Sequence, residues 1–94
     1  MNTYAIRRRA GWKTPAELQD AAERSRQVGD DEMADDIRWI RSYVVEEADG
    51  TLGTVCIYQG TSVEKVREQA ERAGLPADEV AKVLDTVLVR PDPA

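Results

Sequence analysis

Ile37-Arg38-Trp39-Ile40-Arg41-Ser42-Tyr43-Val44-Val45-Glu46-Glu47, followed by Ala48-Asp49-Gly50-Thr51, is the stretch on which the fold turns. It is rich in β-branched and aromatic residues, so Ile37 to Glu47 predicts a long strand. Asp49-Gly50 is a strong hairpin signal, and Thr54 to Tyr58 predicts the return strand. Strict alternation puts Trp39, Arg41, Tyr43 and Val45 on one side of the first strand and Ile40, Ser42 and Val44 on the other. Both sides carry large apolar groups, which predicts a sheet covered on both faces.

Outward from this hairpin, a strand and a helix are expected on each side. Upstream, Tyr4 to Ala10 predicts a strand with Tyr4, Ile6 and Arg8 on one face and Ala5, Arg7 and Arg9 on the other. Gly11-Trp12-Lys13 reads as a loop. Thr14-Pro15-Ala16-Glu17 then starts a helix: Thr14 caps, Pro15 suits the first turn and Glu17 completes a capping box. Leu18, Ala21, Ala22, Ser25 and Val28 share one helical face, and Gly29 reads as the stop. Asp30 to Asp36 reads as a loop or a solvated turn.

Downstream, Thr61-Ser62-Val63-Glu64 reads as a second capping box. Val63, Val66, Ala70 and Ala73 line the helix that follows, which Gly74 ends. Pro76-Ala77-Asp78 predicts a short helix through about Val83. Thr86 to Val89 predicts the last strand, stopped by Pro91 and Pro93. The class is therefore α+β, in the order β-α-β-β-α-β. Two split β-α-β units give a four-stranded antiparallel sheet with helices on one face. A twin copy is the expected cover for the other face, and a single domain is expected over residues 1–94.

Composition bounds the function. The net charge of −5 argues against a nucleic-acid module and against charge-held membrane binding. No stretch approaches the roughly 20 apolar residues of a membrane span. Met1-Asn2-Thr3-Tyr4 has no apolar signal region, so a cytoplasmic location is expected. Cys56 is the single cysteine and histidine is absent. Internal disulfides, Cys/His nucleophile pairs and imidazole ligands are thereby excluded.

Several groups invite a chemical reading. Arg7-Arg8-Arg9 suits a carboxylate or phosphate, although alternation sends these side chains to both faces, where acidic residues can pair with them. Arg8 stands out because it shares a face with Tyr4 and Ile6. Trp39, Arg41 and Tyr43 can line a pocket for a flat or anionic small molecule, or fill a dimer interface. Asp30, Asp31, Glu32, Asp35 and Asp36 lack the spacing and glycine of a calcium loop and read as a solvated turn. Cys56 reads as a small buried apolar residue.

Four segments together resemble a known family. They are Tyr4-Ala5-Ile6-Arg7-Arg8-Arg9, Ile37-Arg38-Trp39-Ile40-Arg41-Ser42-Tyr43-Val44, Cys56-Ile57-Tyr58, and Glu68-Gln69-Ala70-Glu71-Arg72-Ala73-Gly74-Leu75-Pro76-Ala77-Asp78. The chain is similar, over about residues 3–91, to a small bacterial domain family of unknown function that includes a nickel-binding protein. The resemblance implies a ferredoxin-like fold that pairs into a dimeric α/β barrel. Where members of that family often carry histidine, this chain has Arg9, Arg41 and Gln69. Guanidinium is not a metal ligand, so the resemblance suggests nickel while the residues imply a metal site lost or altered, and no cofactor is expected.

Three functions follow as expectations. One is a homodimeric ligand-binding or accessory protein. Another is a small cofactor-free enzyme, of monooxygenase, isomerase or cyclase type, with its pocket between sheet and helices. The last is a purely structural dimer. Arg8, Arg9, Trp39, Arg41, Tyr43, Tyr58 and Gln69 are the candidate ligand-binding residues; catalytic residues are not assigned.

Overall fold

A computed structural model of the chain describes residues 1–92. The elements are β1 (Asn2–Trp12), α1 (Pro15–Gln27), a π-helical turn (Val28–Glu32), β2 (Ile37–Glu46), β3 (Leu52–Gly60), α2 (Val63–Ala73) and β4 (Glu79–Val83). The strands form one sheet in the order β2-β3-β1-β4, and every neighbouring pair is antiparallel. This is the ferredoxin-like arrangement. Both helices pack on the sheet face carrying Tyr4, Ile6, Cys56 and Tyr58. Val28, Met33, Ile37, Val66 and Ala73 close the core above it. Ile6 and Val66 are essentially fully buried, each contributing about 1.5–3 kcal/mol of apolar transfer.

Local chemistry explains most boundaries. Thr14 Oγ1 accepts from the Glu17 amide, while the Glu17 carboxylate reaches back to the Lys13 amide at 2.7 Å, one residue earlier than a standard capping box. In α2 the cap is Ser62, whose hydroxyl accepts from the Lys65 amide. The expected Thr61–Glu64 box does not form, because the Thr61 hydroxyl and amide both bond to Asp36 instead. Gly74 ends α2 in the left-handed conformation, φ 70°, which glycine adopts without a steric penalty.

Five further expectations are corrected. Trp12 belongs to β1, pairs with Leu52 and is buried. The chain bulges between Arg8 and Trp12, with Ala10 at φ 48°, and so returns Trp12 to the sheet. The bulge is held by Glu47, whose carboxylate accepts from the Ala10 amide at 2.9 Å and pairs with Arg7. Gly29 does not stop α1. The helix widens into the π turn, closed by the Met33 amide on the Val28 carbonyl at 3.0 Å, and Met33 drops into the core.

The alternation of β2 is interrupted by a bulge between Trp39 and Arg41: Trp39 pairs with Tyr58 and Arg41 with Ile57, leaving Ile40 as the extra residue. Trp39 therefore shares the helix-side face with Ser42 and Val44, while Arg41 and Tyr43 lie on the opposite face. No helix forms after Pro76. The Asp78 amide bonds to the Arg7 carbonyl at 3.0 Å, and Glu79–Val83 pairs along β1 as β4, using the ladder groups that β1 would otherwise leave open. Thr86–Val89 is irregular and exposed rather than a strand. Of the two prolines expected to stop it, Pro93 lies outside the described residues.

Candidate ligand-binding site

The two bulges place three aromatic rings around one space. Trp12 arrives from the end of β1, Trp39 from β2 and Tyr58 from β3. Trp39 and Tyr58 stack with ring planes 2° apart, and the indole N–H of Trp39 donates to Ser42 Oγ at 2.8 Å. With Leu18, Ala21, Ala22 and Ser25 of α1 above and Leu75 at the rim, they line a half-open cavity of about 230 Å³ between sheet and helix.

The polar groups on this wall are accounted for one by one. Ser25 and Tyr58 hydroxyls bond to each other, and Gln69 Nε2 donates to Ser25 Oγ at 3.0 Å. Ser42 accepts from Trp39, and Thr54 accepts from the Cys56 thiol at 3.2 Å. Burial pushes the Tyr58 hydroxyl above its ordinary pKa, with Ser25 and Arg8 opposing the shift. Tyr58 is therefore a neutral phenol at physiological pH.

Arg8 differs from these groups. It lines the cavity and is only 1% exposed. Its Nη1 donates to the Pro76 carbonyl at 2.5 Å, and its guanidinium carbon lies 5.9 Å from the Tyr58 ring centre, at the outer edge of a cation–π contact. No carboxylate pairs with it among the described residues, and its Nη2 is shut off from solvent with no hydrogen-bond partner. A buried cation without a counter-charge costs several kcal/mol.

Of the residues singled out from sequence, the cavity gathers Arg8, Trp39 and Tyr58. Gln69 stands behind them, fully buried, and its Oε1 has no partner. Arg9 is exposed at the end of β1 and pairs with Glu79 at 2.6 Å. Arg41 and Tyr43 both bond to Asp92 on the opposite face of the sheet. Arg9, Arg41 and Gln69 therefore do not meet within one chain. Trp12 and the Pro76 carbonyl were not anticipated. Trp12 could have been suspected as one of only two tryptophans, whereas no sequence signal marks a backbone carbonyl. No group of three or more His, Cys, Asp or Glu side chains is placed to hold a metal ion among the described residues.

A family model described as "Nickel responsive protein SCO4226-like" matches residues 4–83. The chain belongs to this family. Among solved structures, the SCO4226-like chain is similar to SCO4226 from Streptomyces coelicolor A3(2), with a TM-score of 0.72 and 26% identity. That match covers 90% of this chain and 99% of the crystal structure's chain. No curated protein matches it.

Proposed function

We propose that this member of the SCO4226-like family is a small-molecule-binding or accessory protein that works through the cavity between sheet and helices, as a homodimer. The observation that carries this is Arg8: a buried guanidinium at the wall of an apolar cavity, with no carboxylate and one nitrogen unpartnered. A protein that only needed a packed core would gain nothing by leaving a charge unpaired beside an empty space.

The family is described as nickel responsive, but the donor set of this chain does not suit nickel. There is no histidine, and the one cysteine is buried and hydrogen-bonded to Thr54. Arg9 and Arg41 put permanent positive charges at two of the three family positions.

Support for the homodimer comes from the sheet face away from the helices. Ala5, Tyr43, Val45, Val55 and Ile57 lie there without a helix above them. The segment after β4 runs from that edge strand to Arg41 on the other edge strand, where Asp92 anchors it. Between these points Leu84, Val87, Leu88 and Val89 are 75–88% exposed. So much apolar surface in a run is better suited to a partner than to water, and a second copy offers a self-complementary one.

Untagged protein examined by native mass spectrometry and calorimetry tests this reading. The expected result is a dimer that takes up small ring compounds at one per chain and shows no stoichiometric nickel. Ala22→Leu, which fills the cavity from α1, should abolish uptake while preserving the dimer. A protein that binds no ring compound, or that binds nickel stoichiometrically, would overturn it.

A further inference from the structure

Resting on the cavity as the ligand site, we infer that its ligand is a small monocarboxylate with a flat apolar body, about one aromatic ring in size, its carboxylate held by Arg8. Charge argues for an anion: Arg8 lines the cavity with no carboxylate beside it, and its buried Nη2, which has no acceptor, comes within reach of a carboxylate only when the guanidinium turns toward the cavity. Charge also limits that anion to one negative charge. The lining holds no second Arg or Lys that could balance a dianion, and no Asp or Glu that could take the place of the ligand. A carboxylate suits the edge of a guanidinium, which offers parallel N–H donors.

The rest of the wall defines the body. The hydroxyls of Ser25 and Tyr58 are engaged with each other, and Ser42 and Thr54 each accept one hydrogen bond, which leaves few polar groups on the wall for a ligand. A ligand with many hydroxyls would bury more groups than these can partner, at about 1–3 kcal/mol each. The remaining contacts are the rings of Trp12, Trp39 and Tyr58 and the side chains of Leu18, Val44 and Leu75. A cavity of roughly 150 Å³ accommodates benzene. The space here, about 230 Å³, thus has room for a ring plus one carboxylate.

Benzoate and its neutral near-isostere benzamide are the probes, titrated into the intact protein at neutral pH and followed by calorimetry and by the tryptophan fluorescence. Benzoate should bind at least about tenfold more tightly than benzamide. In Arg8→Met that preference should vanish while benzamide binding persists. If benzamide binds wild-type protein as tightly as benzoate, the carboxylate assignment is overturned and the cavity reading stands. If neither binds, both fall. Should Arg8→Met fail to fold, the wild-type comparison decides alone.

Discussion

The indole of Trp39 and the phenol ring of Tyr58 lie face to face, their centroids 5.8 Å apart and their planes 2° from parallel. The two residues are register partners across β2 and β3. Trp39 is half-buried, so Trp39→Ala should destabilise the fold by about 2 kcal/mol, below the range for a fully buried tryptophan. Urea unfolding followed by circular dichroism measures this. A loss under about 0.5 kcal/mol, the level of an ordinary surface substitution, would mean that the ring is not held against Tyr58.

Glu47 should give the fold an acid-sensitive fastening. The Arg7 guanidinium, and then the Ala10 amide, hold its carboxyl below the usual value of 4.5. A depressed carboxylate stabilises the native state above its unfolded pKa and loses that contribution as pH falls through its folded one. The melting temperature of wild type minus that of Glu47→Gln should therefore be largest near neutrality and shrink steadily below about pH 4.5. A difference that stays constant with pH would assign the effect to packing alone.

Gly53 is expected to tolerate no side chain. A Cβ there would lie 2.7 Å from the Arg8 carbonyl oxygen and 2.8 Å from Arg7 Nη1. Because the nearest atom is backbone, relief requires the β1 bulge to shift. Gly53→Ala should cost about 1–3 kcal/mol and expose Trp12, seen as a red shift in tryptophan emission. Unchanged stability and emission would contradict the tight contact.

Tyr58→Phe removes one member of the buried group formed with Ser25 and Gln69. Gln69 Oε1 is already without a partner, so the site has little slack, and the change should cost about 1–3 kcal/mol. Burial raises the Tyr58 pKa above 10.0. Its contribution to stability is then complete below about pH 10 and lost as alkali ionises the unfolded chain. Ultraviolet titration should show one wild-type phenol ionising late, and that late step should be missing in Tyr58→Phe.

The alternating pattern of residues 4–8 and the Asp49-Gly50 turn made β1 and the central hairpin readable, and the caps at Thr14 and Gly74 marked the helices. What could not be read was where alternation fails. A bulge is a change of backbone geometry at one residue, and Ile40 is as good a strand former as its neighbours. Nothing in its chemistry announces that Trp39 and Arg41 will part to opposite faces. The same holds for Trp12, delivered to the cavity by a carboxylate from the hairpin, Glu47. Helix spacing at Pro76–Val83 competed with an unpaired β1 edge, and tertiary pairing prevailed over local propensity. Arg8 could be singled out by its face, but its lack of a counter-charge is a property of the assembled fold.

The extra residue in β2 also has a bearing on self-association in fibrous form. β2 is an outer strand, and a long, regular outer strand is a template on which further chains can add without limit. Ile40 throws the ladder out of step partway along that rim. The opposite rim, β4, is five residues long and carries Glu79 and Lys82. Growth of the sheet edge to edge is thus discouraged at both borders.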